Sequence, residues 1–274
     1  MTTPKVSIII VNYNHKYFPR MCVEAIEKSV IDVPFEIIVV DNNSKDESIH
    51  MLRAMEKEGR IHLIESPENI GYGKGNNLGV KQAKGEYVVI SNPDVFVNPD
   101  TMKTLLTHLE KNSDIGIIGP RLRYYNGDTQ PSCRRHMTFF DLVIKRTFLK
   151  KLPPFQKRLK HYLMEDFNHN DIQDVDLITG AYFMMRKEVY EEVSGFDPRY
   201  FLFMEDYDLC LTLHKRGYRV VYFPKSEALH YHKRLSGGNI MWLLGRKVFW
   251  FHLMSAIKYF WKWKNYSPSN SKKT

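Results

Sequence analysis

The chain carries little sulfur chemistry. Its 274 residues include three cysteines, Cys22, Cys133 and Cys210, far apart and with no C-x-x-C pair. That odd, scattered set argues against a disulfide framework or a thiolate zinc site and fits a reducing, cytosolic setting. No secretory leader is expected: MTTPKVSIII has one lysine and then a short strand-like run, without a long apolar region or small-residue cleavage site. There is no low-complexity block, and 43% hydrophobic with 26% charged residues argues against a disordered chain.

Acidic residues stop at Glu227. Beyond it lie Lys233, Arg234, Arg246, Lys247, Lys258, Lys262, Lys264, Lys272 and Lys273, nine positive charges that equal the net charge of +9, so residues 1–227 balance. The same region holds all four tryptophans, Trp242, Trp250, Trp261 and Trp263. Its most apolar uncharged run, Val248–Ile257, falls short of the roughly 18–20 apolar residues of a spanning helix. Lys247, Lys258 and Lys262 share one side of a helical projection. The expectation is an interfacial amphipathic helix on an anionic membrane surface; a helix packed on the protein's own core, or a dimer contact, is the alternative. Nucleic acid suits such charge too, but no nucleic-acid-binding motif accompanies it. The division expected is residues 1–235 as the main domain, folding without the tail, and 236–274 as the basic aromatic tail.

What is present in the first two-thirds is alternation of strand and helix signals. Val6–Val11, Glu36–Val40, Ile61–Glu65, Tyr87–Ser91 and Ile115–Gly119 read as strands, the β-branched runs marking strands buried on both faces. Met21, Ala25, Ile26 and Val30 recur at helical spacing. Ser44-Lys45-Asp46-Glu47 reads as a capping box opening a helix through Lys57, and Asp100 as the cap of a helix bearing Leu105, Leu106 and Leu109. Residues 139–170 break the rhythm as a basic excursion, helical in part. Strands return at Val175–Thr179, Tyr182–Met185 and Val220–Phe223, and a helix over Asp206–Lys215 stops at Gly217. This alternation predicts an α/β, Rossmann-like, mainly parallel sheet covered by helices, with ligands at the carboxyl ends of its strands.

Polar residues follow those strands. Asp41 can accept a hydrogen bond from a base or ribose, or serve a turn in Asp-Asn-Asn-Ser. Asn12 and Tyr13 can line the same pocket, Tyr13 by stacking. Asn69–Asn77 is glycine-rich and opens a short helix whose amides can face phosphate, or is a plain loop. Asp94 of Asn92-Pro93-Asp94 offers a hard carboxylate suited to Mg²⁺ or Mn²⁺ on a diphosphate, or ends an ordinary turn. Glu205, Asp206 and Asp208 start a helix, where acids serve as dipole complements or as a general base. His230 and His232 can ligate metal or be structural.

Taken in order, VSIIIVNYN, EIIVVDNNSKD, ENIGYGKGNNLG, GEYVVISNPDVFV, ITGAYFMMR, GFDPRYFLFMEDYDLC and a distal histidine resemble family-2 glycosyltransferases of the GT-A fold, over roughly residues 5–235. The pattern is most similar to bacterial rhamnosyltransferase-type members, in which NPD stands where many relatives carry DXD. The resemblance implies an inverting transfer of a sugar, rhamnose from dTDP-rhamnose or a hexose or HexNAc from a UDP-sugar, to a lipid-linked or cell-surface glycan, at the inner face of the plasma membrane. It implies donor contacts from Asn12, Tyr13, Asp41, Gly71, Asn76, Asn77, Asn92, Asp94, Gly180 and Ala181. Asp94 and His230 would hold a divalent metal, Mg²⁺ or Mn²⁺; Asp206 would be the base, with Glu205 beside it. Asn92 replaces the first carboxylate of DXD, and Thr212 stands where relatives often have arginine. A non-catalytic nucleotide-sugar or glycan-binding module is the competing reading, and Asn92 is its support.

Overall fold

The computed structural model describes residues 3–231, 245 and 247–266. His232 and the tail residues Lys233, Arg234, Trp242, Arg246, Lys272 and Lys273 lie outside the described residues, so the expected H-x-H pair is described only through His230.

The β-branched runs form the centre of one sheet: β1 (Val6–Asn12), β2 (Phe35–Asp41), β3 (His62–Glu65) and β4 (Tyr87–Ser91). Further along are β5 (Val95–Val97), β6 (Ile115–Arg123), β7 (Cys133–Arg134), β8 (Gln173–Asp174), β9 (Leu177–Ile178), β10 (Tyr182–Arg186) and β11 (Arg219–His230). The order is β3-β2-β1-β4-β10-β6-β11-β5, with β8 also on β11 and β7-β9 as a separate two-stranded ribbon. β1, β2, β3 and β4 run parallel, as do β6 and β11, while β10 is antiparallel to both β4 and β6. β10 therefore begins, rather than ends, at the edge where β4 and β6 finish. The architecture is the expected α/β one: a mixed, mainly parallel sheet flanked by helices.

Side chains alternate across this sheet as strand geometry requires. Ile8 and Ile10 join the core with Cys22, Val23 and Ile26 of α1 (Phe18–Glu27), Leu52 and Met55 of α2 (Ser48–Lys57), and Leu105, Leu106 and Leu109 of α4 (Thr101–Glu110). Ile9, Val88 and Ile90 join the opposite core with Val80 of α3 (Tyr72–Gln82), Val189 and Tyr190 of α7 (Lys187–Glu192), and Leu209, Leu211 and Leu213 of α8 (Glu205–Lys215). The last helix, α9 (Lys247–Trp263), buries Ala256, Tyr259 and Trp263 in that second core.

Several local expectations change. α2 starts at Ser48, and Ser44 does not cap it: the Ser44 hydroxyl accepts from the amide of Asn14 at 3.0 Å. Asp100 sits at the start of α4 without a side-chain capping bond. A capping box does form at Thr138 and Asp141, opening α5 (Phe139–Arg146); with α6 (Pro153–Tyr162) it makes the basic excursion substantially helical. Arg158 of α6 donates to Asp141 at 2.6 Å, joining the two. β11 runs through Pro224 to His230, its register broken between Phe223 and Glu227, where a residue lacking N–H can be accommodated. His230 thus stands in a strand rather than after one. The three cysteines are buried and unpaired, and burial pushes the Cys22 thiol up to about 12 and Cys133 to about 11.

Candidate active site

The parallel register sets Asn12 beside Asp41 at the ends of β1 and β2. The Asn12 amide donates to Asp41 Oδ1 at 2.9 Å, and the Ser44 backbone N–H donates to Asp41 Oδ2 at 2.9 Å. Both residues are buried, while Tyr13 is half-exposed beside them. Among the described residues, the Oδ1 atoms of Asn12, Asn42 and Asn76 are buried acceptors without a hydrogen-bond partner. Unsatisfied acceptors at the mouth of a parallel sheet point to a ligand or ordered water there.

β4 ends in Asn92-Pro93-Asp94, and β11 pairs antiparallel with β5, setting His230 opposite Val95. This brings His230 Nε2 to 3.4 Å from Asp94 Oδ1, with both side chains nearly buried. The other imidazole nitrogen, Nδ1, lies 2.9 Å from Gln130 Oε1. An imidazole fixed through one nitrogen and aimed beside a carboxylate through the other is a usual arrangement around a metal ligand. One carboxylate oxygen and one nitrogen suit Mn²⁺ or Mg²⁺ when phosphate oxygens complete the shell. No cluster of three or more metal-ligating side chains occurs among the described residues. Asp94 and His230 therefore fit a cation shared with a diphosphate, not one held by protein alone.

The acid pair is positioned by strained backbone. Phe203 and Met204, immediately before α8, both adopt left-handed conformations, φ 69° and 71°. Such residues persist only where their surroundings hold them, and they concentrate at functional sites. Gly180 N–H donates to Asp206 Oδ2 at 2.8 Å, and Tyr207 N–H to Asp206 Oδ1 at 2.9 Å. The Tyr72 hydroxyl donates to the Gly180 carbonyl at 2.6 Å. Ala181 carries the connection onward, its carbonyl accepting from Asn92 N–H at 2.8 Å. Glu205 is buried, with Oε2 unpartnered. Burial, then the neighbouring Asp206 charge, pushes the Glu205 carboxyl up to about 8. Burial also raises Asp206, against the pull of its backbone N–H donors. Asp206 is the better supported anion of the pair.

The glycine-rich segment opens α3, and Asn42 donates to its Gly71 carbonyl at 3.0 Å. Gly71 has φ 89°, and a Cβ there would collide with the Phe201 carbonyl. The Phe201 carbonyl also accepts the Tyr72 N–H at 3.0 Å, so this amide of α3 is capped from within. Asn76 is buried under its own helix, donating to Tyr72 O at 3.0 Å. Asn77 is not brought to the acid pair: it donates to Phe196 O at 2.7 Å and accepts from Tyr190 at 2.5 Å and Phe196 N–H at 3.0 Å.

Sequence reasoning missed Tyr72, Gln130 and Arg134. Tyr72 lay inside a segment read for its glycines. Gln130 and Arg134 lie where no periodic pattern drew notice. It also missed how far the tail helix is engaged. Lys262 bridges Asp197 and Asp208, both at 2.8 Å, and Lys258 donates to Arg199 O at 2.9 Å. Those two lysines face the body, not a partner surface. The opposite side of α9 exposes Trp250, Leu253, Met254, Ile257 and Trp261.

A model of glycosyl transferase family 2 matches residues 7–194. The chain is 30% identical over 220 residues to an N-acetylglucosaminyl-diphospho-decaprenol L-rhamnosyltransferase of Mycobacterium tuberculosis, covering 75% of this chain and 69% of that protein. It is 26% identical over 270 residues to the rhamnosyltransferase WbbL of Escherichia coli, covering 93% and 92%. The fold is similar to GalNAc-T7 solved with UDP, GalNAc and Mn²⁺: TM-score 0.66 and 16% identity, over 84% of this chain and 44% of that one.

Proposed function

This chain belongs to glycosyl transferase family 2 and is a glycosyltransferase that uses a nucleotide sugar; from that premise we propose that it transfers rhamnose from dTDP-rhamnose to a lipid-diphosphate-linked glycan, with inversion. The observation that carries the site assignment is the pair Gly180–Ala181, which hydrogen-bonds Asp206 on one side and Asn92 of Asn92-Pro93-Asp94 on the other. Base and leaving-group ends of one reaction are thereby joined across two residues.

In this reading Asp206 takes the proton from the acceptor hydroxyl as its oxygen bonds to the anomeric carbon, and the nucleoside diphosphate departs from the opposite face. Base catalysis of this kind contributes about 10²–10⁴-fold. Glu205, protonated beside it, avoids a second charge in the same buried space. Asn12, Tyr13 and Asp41 receive the base and ribose, and Asn76, Gly180 and Ala181 border the sugar. A divalent cation held by Asp94 and His230 would neutralise charge on the leaving diphosphate. The mycobacterial relative, an N-acetylglucosaminyl-diphospho-decaprenol L-rhamnosyltransferase, supports rhamnose as the sugar and a lipid diphosphate as the acceptor. A UDP-hexose or UDP-HexNAc donor is the second reading, favoured by the UDP of the structural neighbour.

Membrane residence is part of the proposal. No helix among the described residues is long and apolar enough to cross a bilayer. The exposed apolar stripe of α9, with Phe139 of α5 in ring contact with Phe260 at 5.6 Å, is suited to lie in an interface. Residues 1–235 would then carry catalysis and 236–274 attachment. A screen of dTDP- and UDP-sugars for binding and hydrolysis tests the donor; dTDP-rhamnose should be turned over, and turnover of UDP-sugars alone would replace it.

A further inference from the structure

Among the described residues, no carboxylate meets Arg134. Most described arginines meet a carboxylate, among them Arg53 with Glu65, Arg60 with Glu27, Arg123 with Glu227 and Arg219 with Asp174. Arg186 meets none but donates to several backbone carbonyls. Arg134 has neither. Its one hydrogen bond runs from Nη1 to the carbonyl of Cys133 at 2.6 Å, and its Nε is buried with no partner.

Its position is fixed from three sides. On β7 it lies opposite Leu177 of β9, three residues before Gly180. The next residue, Arg135, donates its N–H to Tyr162 O at 3.1 Å, and the Tyr162 and Tyr207 hydroxyls are 3.3 Å apart. β7 is thereby held against the end of α6, and the guanidinium is within electrostatic reach of Tyr162, Tyr207 and Asp206. It forms no ion pair with Asp206, whose stronger supports are the N–H groups of Gly180 and Tyr207.

Arg134 is partly buried, and a guanidinium whose Nε is buried without a partner among the described residues is costly unless something else neutralises it. The planar guanidinium fork matches phosphate oxygens in pairs. We propose that Arg134 binds a phosphate group in the cleft beside Asp206, supplied by the diphosphate of the donor or of the lipid-linked acceptor. This rests on the glycosyltransferase reading above and adds a residue to its binding site.

The test uses the full chain, wild type and Arg134→Met, in calorimetric titrations with three probes: inorganic pyrophosphate, dTDP, and an alkyl-diphosphate-linked N-acetylglucosamine set against the same sugar as a plain alkyl glycoside. Pyrophosphate should bind the wild type in chelated buffer and bind Arg134→Met about 10–100-fold more weakly, the range for a charge-assisted contact. A parallel loss for the sugar-diphosphate, but not dTDP, assigns the acceptor as source; a loss for dTDP assigns the donor. Unchanged affinity for all three probes in a folded Arg134→Met chain overturns the proposal. Should that variant fail to fold, thermal unfolding of the wild type decides: pyrophosphate must raise its midpoint in chelated buffer, and no rise overturns the proposal. Donor turnover by the wild type with Mn²⁺ tests the glycosyltransferase reading separately, since it does not depend on pyrophosphate binding in chelator.

Discussion

Trp263 donates its indole N–H to Asp208 over 2.8 Å, so the last helix grips the helix that carries the acid pair. Asp208 is buried and also accepts from Tyr200 at 3.1 Å and Lys262 at 2.8 Å. Along the same helix, Ser255 donates to Leu202 O at 2.9 Å and Phe251 packs on Phe201 at 4.4 Å between centroids. Trp263→Phe should lower stability by about 1.5–3 kcal/mol, the usual worth of a bond to a charged group. Urea unfolding followed by circular dichroism measures it, and an unchanged midpoint would refute the contact. Cutting the chain near Gly237 should destabilise it further, contrary to the expectation that the tail is dispensable for folding.

Asp206→Asn should retain nucleotide-sugar binding and lose transfer by about 10²-fold or more. The amide keeps one oxygen to accept from Gly180 N–H, so the site stays assembled. Calorimetric donor affinity and initial transfer rates separate the two effects. Near-normal transfer by a folded variant would remove Asp206 as base.

Glu205 makes stability depend on pH with a definite sign. Its folded carboxyl titrates at about 8 against an ordinary 4.5, so between those values the folded state holds more protons than the unfolded one. Its contribution is fully present below about 4.5 and lost as pH rises toward 8. Glu205→Gln should therefore gain stability relative to wild type on moving from pH 5 to pH 8.5. Urea midpoints at the two pH values test this, and parallel behaviour of the two proteins would contradict the burial of that carboxyl.

Activity should fall in EDTA and return with Mn²⁺ or Mg²⁺, and His230→Ala should require more metal for half-maximal rate. Asn92 leaves one carboxylate fewer than a DXD pair would supply, so weak metal binding is the expectation. Full activity in thoroughly chelated buffer would show a metal-independent enzyme.

Replacing Trp250, Ile257 and Trp261 by serine should leave the fold intact, since all three are exposed, and should reduce sedimentation with anionic vesicles. Part of the wild-type binding should survive high salt, because buried aromatic area is not screened. Equal sedimentation of the two proteins would remove this face from the membrane.

The sheet was largely legible because β1, β2 and β4 are continuous apolar runs, and such runs have few alternatives once flanked by helical periods. The proposal for Asp94, Glu205 and Asp206 rests on their order along the chain. Ser44 was misread because its hydroxyl serves Asn12 and Asn14, a tertiary use that the local pattern Ser-x-x-Glu cannot reveal. The left-handed Phe203 and Met204 gave no sign, since neither is a glycine or asparagine and the conformation is imposed by packing. Arg134 was invisible for a related reason: that no carboxylate among the described residues meets it is a fact about what other segments do not bring to it.

The reversed direction of β10 has a consequence for how such an enzyme can diversify. β6 finishes, and β10 starts, on the same rim of the sheet, so residues 124–181 connect two neighbouring strands there and meet the sheet on the way where β8 pairs with β11. The stretch holds β7, α5, α6, β8 and β9, with Arg134 inside it and Gly180–Ala181 at its return. Lengthening or exchanging most of it need not shift the register of a single central strand. A graft of residues 124–179 from a relative should therefore be accepted as a cassette without re-registering the recipient's central strands, and it carries the Arg134 position with it.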